Sequence, residues 1–310
     1  MSKPARNFTQ QKALFGLFLF VRSKSHFNSY RMLQATLRTA QNLSLDVVLG
    51  AVISSMFIAR LLSVSLSLVD LTALGLAVWL IYTADHLTDA MKIPHAAHTT
   101  RHRYHQQYFR PLLIGWILLA MGGVLLLSQL SWILVLKGLV MVTFVGVYFM
   151  LIHILPRITF FHKELMIAIL YTGGVFLAPV HMYTNAFDRT LILLCGQYFM
   201  LALVNVFIIS WYEQDSDQKD GHHSYIIALG PAKGMKVIRI ALGVLFASIA
   251  FGVVFFRINQ AFMGVQFTLL LMTTTLHAVL HFPRYFIRRR RYRAWSDAVF
   301  SYPLVYLLMS

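Results

Sequence analysis

Long apolar runs, separated by short polar segments, fill most of this chain. Nine runs, at roughly 45–66, 67–88, 111–129, 131–152, 164–183, 189–211, 235–256, 262–282 and 295–309, are candidates to cross a bilayer. A spanning helix needs about 20 consecutive apolar residues. Runs of this length and apolarity predict membrane-spanning helices. The last run is the shortest. An earlier run, Ala13 to Phe20 ("ALFGLFLF"), is too short to span and lacks a small-residue cleavage site. It reads as an interfacial helix rather than a signal peptide. The predicted fold is all-α and polytopic, with residues 1–44 as an N-terminal interfacial segment and 45–310 as one transmembrane domain.

Composition strengthens that reading. Of 310 residues, 58% are hydrophobic and 12% charged, about half the charge of a soluble protein. The net charge of +16 does not imply nucleic acid here, because the basic residues are sorted by loop. Lys92, Arg101, Arg103, Arg110, Arg157, Lys163, Lys219, Lys233 and the run "RRRRYR" at Arg288 to Arg293 share one side, while the opposite loops hold only Arg189 and Arg257. The positive-inside rule makes the first side cytoplasmic, with the N-terminus inside and nine crossings leaving the C-terminus outside. The expected location is a bacterial inner membrane. The single cysteine, Cys195, excludes an intrachain disulfide framework and a cysteine-built metal centre. No second soluble domain and no obligate protein partner is evident.

The acidic residues are few and gathered. Six of the eleven lie in two clusters, "DHLTD" at Asp85 to Asp89 and "YEQDSDQKDGHHS" at Tyr212 to Ser224. Each follows an apolar run at its predicted cytoplasmic end. Each contains carboxylates four residues apart, Asp85/Asp89 and Glu213/Asp217, which a helix places on one face. Like charges so placed repel unless a cation sits between them. Mg2+ takes hard oxygen ligands and commonly bridges one or two carboxylates to substrate phosphates. A lone DxxxD at an interface is more often a solvated helix end; the second copy at the same face points to a shared task.

With both motifs in view, the chain resembles the UbiA-type intramembrane prenyltransferase superfamily. That family has nine transmembrane helices, a first aspartate motif near the end of the second and another after the sixth. "IYTADHLTD" and "EQDSDQKDGHHSYIIALG" fall at those two places. The resemblance implies a central cavity and a Mg2+-dependent transfer of an isoprenyl group from an isoprenyl diphosphate to a lipophilic, aromatic acceptor within the bilayer. It gives Asp85, Asp89, Glu213 and Asp217 the catalytic and metal-binding positions, with Asp215 and Asp220 as further metal candidates. Lys163 matches a basic position near the diphosphate, and Arg101, Arg103 and Lys219 are neighbouring cations able to share phosphate charge. Tyr82, Asn205, Tyr171 and Tyr212 are candidates for the chamber wall.

Two alternatives stand beside this. Ile81 and Glu213 depart from the family pattern, where Asn or Asp and then Asp are expected. A chain so altered could bind a lipid diphosphate without turning it over. Separately, His95, His98, His102 and His105 recur at steps of three, four and three, His222 and His223 follow the second cluster, and His277 and His281 are four apart. Imidazole with carboxylate suits non-haem iron, so a histidine-box di-iron oxidoreductase is the rival; a polar interfacial helix beside phosphate accounts for the same loop histidines.

Overall fold

The computed structural model describes residues 32, 35–154, 163–184, 188–221, 224–256 and 260–309. The run Ala13 to Phe20, Arg157, His222, His223 and Arg257 lie outside the described residues. The chain divides into two units, Met1–Leu43 and Ser44–Ser310. The first contributes one described helix, α1 (Ala35–Asn42). Every described element is helical, with no strand among the described residues.

The second unit is a helical bundle. Its long helices are α2 (Leu45–Leu61), α3 (Leu68–Lys92), α5 (Phe109–Leu127), α6 (Trp132–Ile154), α7 (Lys163–Met182), α8 (Arg189–Lys219), α9 (Tyr225–Phe255) and α10 (Gln260–His281). Between α3 and α5 lies a short polar helix, α4 (Thr100–Gln107). Six of these, α3, α5, α7, α8, α9 and α10, are long and apolar enough to cross a membrane. The chain is therefore a multi-pass membrane protein of helical type. α5 has no buried residue, and its exposed Ile114, Leu118 and Leu125 suit a lipid solvent. The core is built by α2, α7, α8, α9 and α10, around fully buried Tyr198, Leu201, Leu245 and Met272.

Helix ends follow local chemistry. α2 stops at Leu61, short of the expected 66, and Ser63 takes a left-handed φ of 54°. Ser67 and Asp70 then form a reciprocal capping box that starts α3. Thr99, Asp188 and Ser224 cap α4, α8 and α9. Two helices outrun their apolar segments. α3 continues to Lys92 and α8 to Lys219, so Asp85, Asp89, Glu213, Asp215 and Asp217 are helical rather than loop. α9 begins at Tyr225 and breaks at Gly230, whose φ of 74° precedes Pro231. Such a backbone suits glycine, and the proline restarts the helix.

The expected run 295–309 is not one helix. It is the later part of a stepped series: α11 (Pro283–Phe286), a 3-10 turn at Arg288–Arg290, α12 (Arg291–Ala298), a second turn at Val299–Ser301 and α13 (Pro303–Met309). The second turn lies tight on α2, where a Cβ on Gly50 would come 2.8 Å from the Phe300 Cβ.

Deep in the bundle, Gln197 of α8 and Gln266 of α10 exchange two side-chain hydrogen bonds of 2.9 Å. Gln197 also donates to the Ser248 carbonyl of α9 at 3.0 Å. Both amides are essentially inaccessible, so each depends on the other. Gln266→Ala is expected to destabilise the fold by about 1–2 kcal/mol through the orphaned Gln197 amide. Replacing both with Leu should cost less than the sum of the single changes. Unfolding in detergent micelles, followed as a double-mutant cycle, checks this; additive losses would show that the amides are not coupled.

Candidate functional site

The acid-bearing ends of α3 and α8 open on one cavity of about 150 Å³. Asp85, Asp89, Glu213 and Asp217 all line it, as do Lys163 at the start of α7, Arg101 and His102 on α4, and Arg293 and Asp297 on α12. The spacing of four residues has its expected effect: each pair shares one helical face, and the two faces open on the same space.

The pairs are compensated differently. The Lys163 ammonium lies 3.5 Å from Asp89 Oδ2 and 4.0 Å from Asp85 Oδ1. It takes the place between two like charges that any cation would seek. His102 Nε2 approaches Asp89 Oδ2 to 3.8 Å. On α8, Arg293 Nη1 donates to both oxygens of Glu213, at 2.8 and 2.9 Å, and the Tyr292 hydroxyl donates to Oε1 at 3.0 Å. Glu213 is thus occupied by a partly buried cation. Asp217 has no hydrogen bond or ion pair of its own among the described residues.

Arginines from two elements meet in the lining. Arg101 is 5% exposed. It donates from Nη1 to His86 Nε2 at 3.3 Å, and its Nη2 is 4.0 Å from Asp297 Oδ2. Arginine can only donate, so His86 Nε2 is the acceptor and the ring proton sits on Nδ1, which is buried without a partner. Burial first, then the neighbouring Arg293 cation, lowers the Arg101 guanidinium from its ordinary value. Asn205 Nδ2 donates to Asp297 Oδ1 at 3.4 Å. The sequence reading does not single out Arg293, Asp297 or His86. The available signal is the four-residue spacing of Arg293 and Asp297, with a carboxylate inside an otherwise apolar run.

Of the remaining sequence candidates, Tyr82 and Asn205 share the lining and the others do not. Asp215 and Lys219 are exposed and outside the lining. Arg103 is exposed and donates from Nε to the Ala97 carbonyl at 2.9 Å. Asp220 turns toward residues 95–99. It accepts from His98 Nδ1 at 2.6 Å, the His98 backbone at 2.9 Å and the Thr99 backbone at 3.4 Å, and lies 3.2 Å from His95 Nε2. Burial works to raise its pKa, but these hydrogen bonds outweigh it and bring the carboxyl down to about 2. Tyr82 and Asn205 line the main cavity. Tyr212 points away: its hydroxyl donates to the Val279 carbonyl at 2.7 Å, and its ring stacks on Tyr292 at 4.4 Å.

An apolar cleft of about 80 Å³ adjoins the acids, sharing Tyr82, Asp85 and Lys163 and reaching Val78, Val145, Leu170 and Tyr171. Ile81 lies in its wall. A smaller space of about 20 Å³ runs past Asn205, Asp297 and Phe300, with Tyr171 again on its border.

The histidines separate into distinct groups. His102 and His105 pack on His86 with ring centroids 5.7 and 5.0 Å apart. His277 and His281 stack on each other at 5.7 Å. Among the described residues, the one set of three His, Cys, Asp or Glu with close-set ligand atoms is His95, His98 and Asp220. The described residues therefore do not bring the expected histidine boxes to one centre.

No family model matches the chain, and no curated protein matches it. Two solved structures do. A UbiA homolog from Archaeoglobus fulgidus bound to DMAPP and Mg2+ aligns over 86% of this chain and 97% of its own, with 11% identity and a TM-score of 0.58. A structure of a UbiA homolog from the same organism bound to GPP and Mg2+ aligns over 87% and 96%, with 13% identity and a TM-score of 0.51. The agreement over most of the chain means that this protein has the UbiA-type fold.

Proposed function

We propose that the cavity binds an isoprenyl diphosphate with Mg2+ and that the chain transfers its isoprenyl group to a lipophilic, aromatic acceptor inside the membrane. The observation that carries this reading is the meeting of Asp85, Asp89 and Asp217 with Lys163 and Arg101 on one cavity that adjoins an apolar cleft. The polar part suits a diphosphate and the apolar part a hydrocarbon chain. The solved structures with the same fold hold such ligands.

The donor set fits Mg2+. Asp85 and Asp89 already attract a cation between them, and carboxylate oxygens are the ligands this ion prefers. Asp217 faces the same cavity and is not tied to an arginine. When bound, Mg2+ would offset diphosphate charge and favour its departure. Lys163 and Arg101 would hold the phosphate oxygens. The allylic C–O bond breaks, its electron pair leaving with the diphosphate. Tyr82 and Tyr171 line the cleft, where their ring faces would stabilise the resulting cation. The dry cleft keeps water from capturing it. An electron-rich acceptor carbon forms the new bond and then loses a proton.

Glu213 has a different task in this reading. Its carboxylate is held by Arg293 and Tyr292, so it positions Arg293 rather than ligating metal. The nine-crossing topology belongs to the same proposal, with the stepped segment 291–309 as the ninth. The basic loops put the site end and the N-terminus in the cytoplasm of a bacterial cell, with the chain in its inner membrane. A second reading, binding without turnover, is favoured by one observation: Ile81 stands in the apolar cleft wall where the resembling family offers a polar group.

Asp85→Ala and Asp217→Ala are each expected to weaken Mg2+-dependent binding of geranyl diphosphate at least tenfold, measured by calorimetry on purified protein. Unchanged binding in both would sink the diphosphate reading. Glu213→Gln is expected to weaken binding less than Asp217→Asn, because one oxygen can still accept from Arg293; an equal or larger loss would make Glu213 a ligand. Pyrophosphate release across a panel of aromatic acceptors separates the two readings: release supports transfer, while tight binding with no release on any acceptor supports a binding protein.

A further inference from the structure

Outside the cavity lining, three groups converge where α8 ends. Asp220 follows Lys219, the last residue of α8. His95 and His98 come from the segment between α3 and α4. His98 Nδ1 lies 2.6 Å and His95 Nε2 3.2 Å from the same carboxylate oxygen, Asp220 Oδ1. All three ligand atoms lie within 4.8 Å of one another. The carboxylate side chain is fully covered, while the imidazoles are 44% and 43% exposed. The backbone reinforces the arrangement. The His98 and Thr99 amides donate to Asp220, Arg103 Nε donates to the Ala97 carbonyl, and Arg290 donates to the His98 carbonyl at 3.2 Å.

We propose that His95, His98 and Asp220 form a site for a divalent transition-metal ion, with Zn2+ as the fitting ion, separate from the oxygen-lined cavity. Two neutral imidazoles and one carboxylate make a donor set that suits Zn2+ and disfavours Mg2+. Bonds of about 2.0–2.2 Å from each group require the ring nitrogens, now 2.6 and 3.2 Å from Asp220 Oδ1, to open around a shared point, with His98 Nδ1 giving up the proton it donates to the carboxylate. The carboxylate's second oxygen accepts from the His98 and Thr99 amides, the former shared with Oδ1 at 3.0 Å, which holds it in orientation as an outer shell does. The exposed side of the imidazoles leaves a fourth position for water.

The placement gives the site a consequence. Thr99, Arg101 and His102 follow His98 directly and line the cavity. Asp217 lies one turn before Asp220 on α8. A metal ion here clasps the two sides of the cavity together. That consequence rests on the function proposed above; the metal site does not.

The test uses untagged full-length protein, stripped with chelator and titrated with ZnCl2 in saturating Mg2+. One Zn2+ per chain is expected, weakened at least tenfold by His95→Ala and by His98→Ala, and unchanged by Asp89→Ala. The two histidine variants leave every backbone contact of Asp220 in place, so folding is not the variable. X-ray absorption at the zinc edge should show imidazole scattering that falls in each variant. Absence of Zn2+ binding, or binding that survives the His95→Ala/His98→Ala double change, would overturn the site. Loss of Zn2+ binding with geranyl diphosphate binding intact would leave the donor reading standing, and the reverse result would leave the metal site standing.

Discussion

Two aspartates one helical turn apart cannot both stay ionised in a partly dry site unless a cation faces them. Asp85 and Asp89 impose that requirement, and the surroundings answer it. Lys163 begins α7 at their level, and His102 reaches Asp89 from α4. α3 must run past its apolar segment to carry both acids, and α8 must do the same for Glu213 and Asp217. The helices are therefore longer than hydrophobicity alone asks, and their overhanging turns make the walls of the cavity.

A second layer of charge stands behind the first. Arg293 holds Glu213, and Asp297 lies beside Arg101. Breaking one partner of a buried pair of this kind costs roughly 3–5 kcal/mol, because the other charge is left uncompensated. Arg101 and Arg293 are thus paired with acids other than Asp85, Asp89 and Asp217. Asp85, Asp89 and Asp217 remain turned to the space itself.

Much of the fold is legible in the sequence because membrane burial leaves long apolar runs. Eight of the nine expected runs correspond to helices, and the four-residue acid spacing leads directly to the shared cavity. The edges are less legible. Apolar length does not reveal that α3 continues to Lys92 or that α9 begins at Tyr225, since hydrogen bonding and capping set those ends. The run 295–309 hides its step: the turn at 299–301 packs against α2 and α10, which no periodicity records. Arg293 is masked by its neighbours, for "RRRRYR" reads as a topology signal while one of its arginines turns inward to Glu213. Glu213 itself looks like a ligand from spacing, and only the position of Arg293 and Tyr292 reveals its other engagement.

The Glu213–Arg293 ion pair also bears on how the protein is made. The partners are separated by 80 positions in the chain, and synthesis runs from the N-terminus. Glu213 enters the bilayer region well before its counter-ion exists. Until the stepped segment arrives, the end of α8 carries an acid without its arginine, and the cavity is open on the side that α12 later closes. Assembly of the site is therefore an ordered event, completed by the final helices docking between α2, α8 and α10, rather than a property of the early helices as they insert.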